Sequence, residues 1–387
     1  NDNNTACASV TRGICDIGDS PSDSLNTHID SIEFQSQGNS FDFGDATVAT
    51  NRRAGFSSTT RGVFSGGKIP DSQTNIIDFI TIASASNATD FGDSTVARQE
   101  SKSFSSLTRG VVGGGYTGSY SDVIDYVTIA SAGNATDFGN LTDDRGYAGA
   151  VTDQTRGVFA GGYYGEVIDY ITVASTGNAT DFGDLTVGRY QASGCANETR
   201  GVFCGGRVGS SNVNYIDYIT IQSTGNATDF GDLGASRGGN GACDNLTRGV
   251  ISCGYEGTSN SNRIEYITIA STGNASDFGD ATVARRQLSS VDNLTRGVTA
   301  GGYSSSNTNI MDYVTIASTG NATDFGDLTV SGNSNGGLDD RSRGVFGGGS
   351  NRGNVMDYIT IASTGNATDF GDLTESDYGQ AGLSGGS

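Results

Sequence analysis

Six cysteines, one histidine and a large excess of carboxylates are the residues of this 387-residue chain that could do chemistry. His28 is the sole imidazole, so any Ser-His-Asp or Cys-His nucleophile would have to be built around it. The cysteines fall as three local pairs, Cys7 with Cys15, Cys195 with Cys204 and Cys243 with Cys253. The first of each pair stands four residues before the Thr of a Thr-Arg-Gly phrase, and the second four to six after it. On adjacent strands of a hairpin this spacing favours three disulfides and an oxidising compartment. Buried free thiols are the alternative, because the changing second offset alters which face that cysteine occupies. No Cys and His spacing matches a zinc site.

The carboxylates recur in the phrase Asn-Ala-Thr-Asp-Phe-Gly-Asp. Asp90 and Asp93 stand three apart with Phe91 between them, unlike the alternating oxygen ligands of an EF-hand loop. Asx-turn or strand-end capping is the expected job, with Ca2+ as the alternative ligand. Paired carboxylates also serve glycoside hydrolysis, which keeps a carbohydrate-active enzyme as a lesser alternative. Here, however, they come with every repeat, and no constellation occurs once. We therefore expect no catalytic residue, metal site or required cofactor. Arg12, Arg61, Arg109 and their later equivalents share one repeat position, and Asp42, Asp90, Asp137 and theirs another. Charge-assisted pairs between these two sets would tie one repeat to the next.

The elements that must position these residues are short strands. Phe43, Phe91, Phe138, Phe182, Phe230, Phe278, Phe325 and Phe370 mark eight tandem units spaced 44 to 48 residues apart. Sixty Gly, two Pro and no Trp, with abundant Ser, Thr, Asn and Asp, describe strands joined by tight turns, and nothing sustains a helical apolar period. Each unit reads as four segments. Read on the fourth unit, a is about 190–196 by analogy with 146–151, b covers 156–162, c covers 167–175 and d follows an Asp181-Phe182-Gly183 turn. Segment c is apolar on both faces, which requires cover on both sides.

A double Gly ending one strand, an Asp flanked by aromatics in the next, a large aromatic after a turn, and runs such as Thr95-Val96-Ala97-Arg98 and Thr282-Val283-Ala284-Arg285 together resemble the kelch repeat. The likeness covers almost the whole chain. It departs in having Phe where Trp is usual and no Pro before the Arg. It implies an all-β fold, an eight-bladed β-propeller of four-stranded blades of about 47 residues. The blades would run 1–47, 48–95, 96–142, 143–186, 187–234, 235–282, 283–329 and 330–374, with a tail at 375–387, in one domain. A β-solenoid is the competing architecture, but its coils are usually shorter than about 30 residues. The repeat phrase also resembles tandem-repeat virion- or tail-associated proteins of marine bacteriophages.

A formal charge of -21 opposes nucleic-acid phosphates and anionic membranes as partners. No apolar run approaches the roughly 20 residues of a membrane span. The first residue is Asn rather than Met, which fits a processed product or part of a longer chain. Asn-X-Ser/Thr sequons stand at Asn87, Asn134, Asn178, Asn226, Asn274, Asn321 and Asn366 in the c–d turn, and at Asn197, Asn245 and Asn293 before Thr-Arg-Gly. They are glycan acceptors in a secreted eukaryotic protein and plain turn residues otherwise. Because strands alternate direction, these turns share one end of the blades, while b–c loops and blade connections share the other.

Repeats differ most between Gly-Gly and Ile-Asp. There the b–c loops carry Tyr116, Tyr120, Tyr163, Tyr164, Arg207, Tyr255 and Tyr303, residue types suited to sugar rings or protein surfaces. The expected function is a non-enzymatic, extracellular or virion-surface recognition module that binds cell-surface glycan or protein through these loops. A structural subunit that self-associates into a filament or coat is the alternative.

Overall fold

The computed structural model describes residues 5–8, 12–16, 25–33, 41–162, 165–189, 192–197, 199–333 and 336–372. Tyr163 and Tyr164 lie outside them, as do the side chains of Cys7 and Cys15. The described residues contain no helix and form eight four-stranded antiparallel sheets. In each sheet the strands a, b, c and d are neighbours in chain order, a meander rather than the coils of a solenoid. The third repeat is representative, with a at Lys102–Ser105, b at Arg109–Gly113, c at Val123–Thr128 and d at Thr136–Asn140. Two compact units contain four sheets each, one up to Asp184 and one from Leu185 to Asp372.

Strand c is covered on both faces, as its composition requires. In Val123–Thr128, Ile124 and Asp125 are buried on opposite faces, and Val127 is buried as well. The Asp-Phe-Gly step differs from expectation. It is not a turn before strand d but lies inside it, at a bulge in the c–d ladder. The bulge turns Phe138 into the core, where its ring meets Tyr126 of strand c edge-on at 5.8 Å between centroids. The Asp carboxylate caps this bulge: Gly139 N–H donates to Asp137 at 3.0 Å, and Gly92 to Asp90 at 2.9 Å.

Consecutive sheets within a unit are joined at two levels. Strand a presents a core residue to the glycine of the next repeat's Thr-Arg-Gly. A Cβ on Gly110 would fall 1.8 Å from the Phe56 ring, and one on Gly157 would fall 2.0 Å from Phe104. The glycine recurs because its neighbour occupies the space. At the outer edge, the c–d turn of one repeat clasps strand d of the preceding one. Gly133 N–H donates to Phe91 carbonyl at 2.6 Å, Ala135 to Asp93 at 2.8 Å, and Asp93 N–H to the Asn134 side chain at 3.1 Å. The clasp covers an edge that would otherwise be free to pair with another chain.

Buried ion pairs support these sheets, and they are not the pairs the sequence suggested. The Thr-Arg-Gly arginines Arg61, Arg109, Arg200, Arg248 and Arg296 bond backbone carbonyls rather than Asp-Phe-Gly carboxylates. Arg109 stacks 4.5 Å from the Tyr126 ring and donates to the Val173 carbonyl of the following repeat. The buried pairs join the arginine after strand d to the Asp of strand c: Arg98 to Asp125 at 2.8 Å, Arg145 to Asp169 at 2.7 Å and Arg189 to Asp217 at 2.6 Å. Threonines complete the shell, as Thr142 Oγ1 does for Asp169 at 2.6 Å.

Departures from this pattern are compensated in space. In the second repeat Thr50 stands where the Arg should be, and Arg53 reaches Asp78 at 2.7 Å. In the eighth, Gly332 stands there, and Arg352 of the b–c loop reaches Asp357 at 2.8 Å. A Cβ on Gly332 would lie 2.3 Å from Arg352 Cγ. In the sixth, Glu265 replaces the Asp and Gly234 replaces the Thr; a Cβ on Gly234 would lie 2.4 Å from Glu265 Oε1. The longer acid fits because the residue facing it has lost its side chain.

Candidate functional site at the loop end

The b–c loops and the connectors from strand d to the next strand a meet at one end of each sheet, and backbone bridges hold them together. Gln99 pairs with Tyr116, Gly238 with Tyr255, Arg286 with Tyr303 and Asn333 with Ser350. Gly-Gly makes this possible: Gly115 has φ +109, and a Cβ there would lie 2.8 Å from the Gln99 carbonyl. Long loops add their own hairpins, Lys68–Ile69 with Ser72–Gln73 and Arg207–Val208 with Ser211–Asn212.

Every described residue expected to bind is half-buried rather than projecting. Tyr116 and Tyr120 pack edge-on at 5.9 Å, and the Tyr120 ring leans over Gly146, whose Cβ would stand 3.0 Å from it. Arg207 donates to the Ser210 carbonyl of its own hairpin at 3.0 Å. Tyr255 and Tyr303 are brought together by a residue that loop composition did not single out. The Arg286 guanidinium lies between them, 4.6 Å from the Tyr255 ring and 5.1 Å from the Tyr303 ring. Asn side chains brace the loops from repeat to repeat: Asn212 donates to the Tyr255 carbonyl at 2.5 Å, and Asn260 to those of Tyr303 and Ser304 at 2.9 and 2.7 Å.

A signal for Arg286 was present in the sequence. The connector reads Arg285-Arg286, whereas the other connectors carry Asn51, Gln99, Gly146, Tyr190, Gly238 or Asn333 at that second position. The first arginine of the doublet is claimed by the scaffold, 3.0 Å from Asp312.

In the first unit the adjacent connector position is closed. Arg52 pairs with Glu100, which accepts the Tyr147 phenol in turn. Part burial, the hydrogen bond to Glu100 and its charge hold that phenol above its ordinary range.

The disulfide expectation does not hold for the described cysteines. Cys195, Cys204, Cys243 and Cys253 are buried free thiols. Register explains why. Cys195 faces Val202 while Cys204 faces Ser193, a diagonal at which Cα atoms stand about 7–8 Å apart, beyond the reach of most disulfides. Cys253 lies past the strand at φ 62, where other repeats have the first Gly of Gly-Gly. The Cys204 hydrogen bond and burial push the Cys195 thiol up, burial does the same to Cys243, and Cys253 is raised to about 11. Cys195 and Cys243 do the work of Phe56 and Phe104, packing on Gly249 and Gly297. As core thiols they say nothing about the redox compartment. Cys7 and Cys15 face Ile14 and Ala6 in the backbone register.

The sequon asparagines have structural work. Asn87, Asn134, Asn178, Asn274, Asn321 and Asn366 accept the backbone N–H that closes the edge clasp, at 3.1 or 3.2 Å. Asn197, Asn245 and Asn293 each accept two N–H groups of the following Thr and Arg, a turn cap that Ser58 and Asp153 supply elsewhere. His28 Nδ1 stands 3.9 Å from Asp45. Among the described residues no three His, Cys, Asp or Glu side chains are grouped to hold a metal ion, and no helix is long and apolar enough to cross a membrane. No protein-family model matches the chain, and no curated protein matches it.

Proposed function

We propose that the chain is a kelch-like, eight-bladed β-propeller that works without catalysis as a recognition module, displayed on a virion or outside a cell. Its ligand is a cell-surface glycan or protein, held at the b–c loop end. The observation that carries this reading is the contrast between the sheets and this end. Sheet positions repeat, or are compensated when they change, while the loops vary in length, charge and aromatic content on braced backbone. Bracing lowers the entropy lost on binding, so variable side chains on fixed backbone suit recognition. The likeness of the repeat phrase to phage virion proteins supports the setting.

The test is binding of the whole chain to a glycan array and to host cells, against a variant carrying Tyr116→Ser, Tyr255→Ser and Tyr303→Ser. Binding by the parent, lost in the variant while its strand circular dichroism is unchanged, is the expected result. Absence of parent binding together with ordered self-assembly would favour a filament or coat subunit instead.

A further inference from the structure

Resting on the recognition reading, we infer that Arg286, with Tyr255 and Tyr303, is the anchor for an oxyanion carried on a sugar, either a carboxylate or a sulfate ester. The guanidinium has no hydrogen bond or ion pair among the described residues. Nor is any of its nitrogens a buried group without a partner, so they reach solvent. The scaffold arginines differ, since Arg98, Arg145, Arg237 and Arg285 each face a buried carboxylate. Arg286 is held all the same. Its N–H donates to the Tyr303 carbonyl at 3.0 Å, its own carbonyl accepts from Tyr303 N–H at 2.8 Å, and two rings fix its side chain.

A guanidinium held over aromatic rings with no hydrogen bond of its own keeps its N–H fork unused. That fork matches an oxyanion with two parallel hydrogen bonds. The rotamer freedom that a long arginine ordinarily loses on binding is already spent here. Tyrosine beside a guanidinium is a residue type that suits a pyranose next to its charged group. Thr258 and Ser259 at one loop tip and Ser305 and Ser306 at the next are exposed and can meet sugar hydroxyls. The formal charge of -21 selects against an extended polyanion, so the site suits an isolated charge on an otherwise neutral surface.

Titration of the full chain with three singly charged or neutral sugars tests this: methyl galacturonide for one carboxylate, methyl galactoside 6-sulfate for one sulfate ester, and methyl galactoside as the neutral control. At least one acidic sugar should bind more tightly than the neutral one. Arg286→Gln should weaken that acidic sugar by about tenfold or more without altering neutral binding, and Arg286→Lys, which keeps the charge and loses the fork, should fall between. Which acidic arm responds identifies the oxyanion. Equal binding of acidic and neutral sugars, unchanged by Arg286→Gln but lost in the triple tyrosine variant, overturns the Arg286 assignment and leaves the recognition reading standing. No binding to any sugar, glycan array or cell overturns both. Thermal melts of the variants separate lost binding from lost fold.

Discussion

Two connectors carry a partly exposed arginine, Arg52 in the first unit and Arg286 in the second, and they use it in opposite ways. Arg52 meets Glu100, which also holds the Tyr147 phenol, so one repeat is strapped to the next two. Arg286 meets no carboxylate and is held by two aromatic faces. A part-buried ion pair neutralises both its members and leaves little charge for a ligand. A guanidinium held by cation–π contact spends none of its N–H groups on its neighbours, so they stay available. A cation near the loops is therefore not by itself a site; what distinguishes Arg286 is the pair of neighbours that hold it without neutralising it.

Both units share the buried pairs, and breaking one should produce the largest effect and the same effect in each. Asp125→Ala in the first unit and Asp312→Ala in the second leave a buried arginine unpaired, and each should cost about 3–5 kcal/mol in urea unfolding. A cost confined to one unit would mean that the two scaffolds hold their arginines differently. Next, Gly234→Thr should cost about 1–3 kcal/mol by driving a side chain into Glu265. The double variant with Glu265→Asp should recover most of this loss, because it rebuilds the Thr and Asp of the other junctions.

Opening the closed arginine sharpens the contrast directly. Glu100→Gln should cost about 1–3 kcal/mol and bring the Tyr147 phenol down towards its ordinary range in an ultraviolet titration, yet confer no affinity for acidic sugars on Arg52. Acquired binding there would show that free charge, not aromatic clamping, makes the site. Arg286→Gln should change stability by no more than about 1 kcal/mol, the scale of exposed cation–π contacts, while its binding phenotype is large.

The smallest effect concerns Asp339, whose carboxyl burial, ahead of the nearby Asp292, holds above the ordinary carboxylate range. The native state then binds that proton more tightly than the unfolded chain. Its contribution to stability falls as pH rises from the ordinary value, about 4, through the folded one. Asp339→Asn removes the charge, so the melting temperature of the variant relative to the parent should be higher at neutral pH than at that ordinary value.

Much of the fold was legible because it is written locally. Alternation in Val123–Thr128, the Gly-Gly breaks and the eightfold Phe marked strands and their ends to within a few residues. The Asp-Phe-Gly step was misplaced because a bulge and a turn draw on the same residues: Gly92 has the positive φ of either, and only its pairing with strand c tells them apart. The cysteines misled for a related reason. Spacing along a hairpin suggests proximity, but a disulfide needs facing positions, and Cys195 and Cys204 are two rungs out of step.

The sequence alone determined the repeat, its four strands, the acidic balance and the loops where repeats part company, since these follow from side-chain period and turn chemistry within a few residues. Tertiary packing decided which charge meets which. It let Arg53, Arg98 and Arg352 serve one role from three chain positions, turned sequon asparagines into edge clasps, and set Arg286 between tyrosines 31 residues before it and 17 after it. Contacts of that kind depend on sheet register and on the packing of one sheet against the next, and neither is encoded in any short stretch of chain.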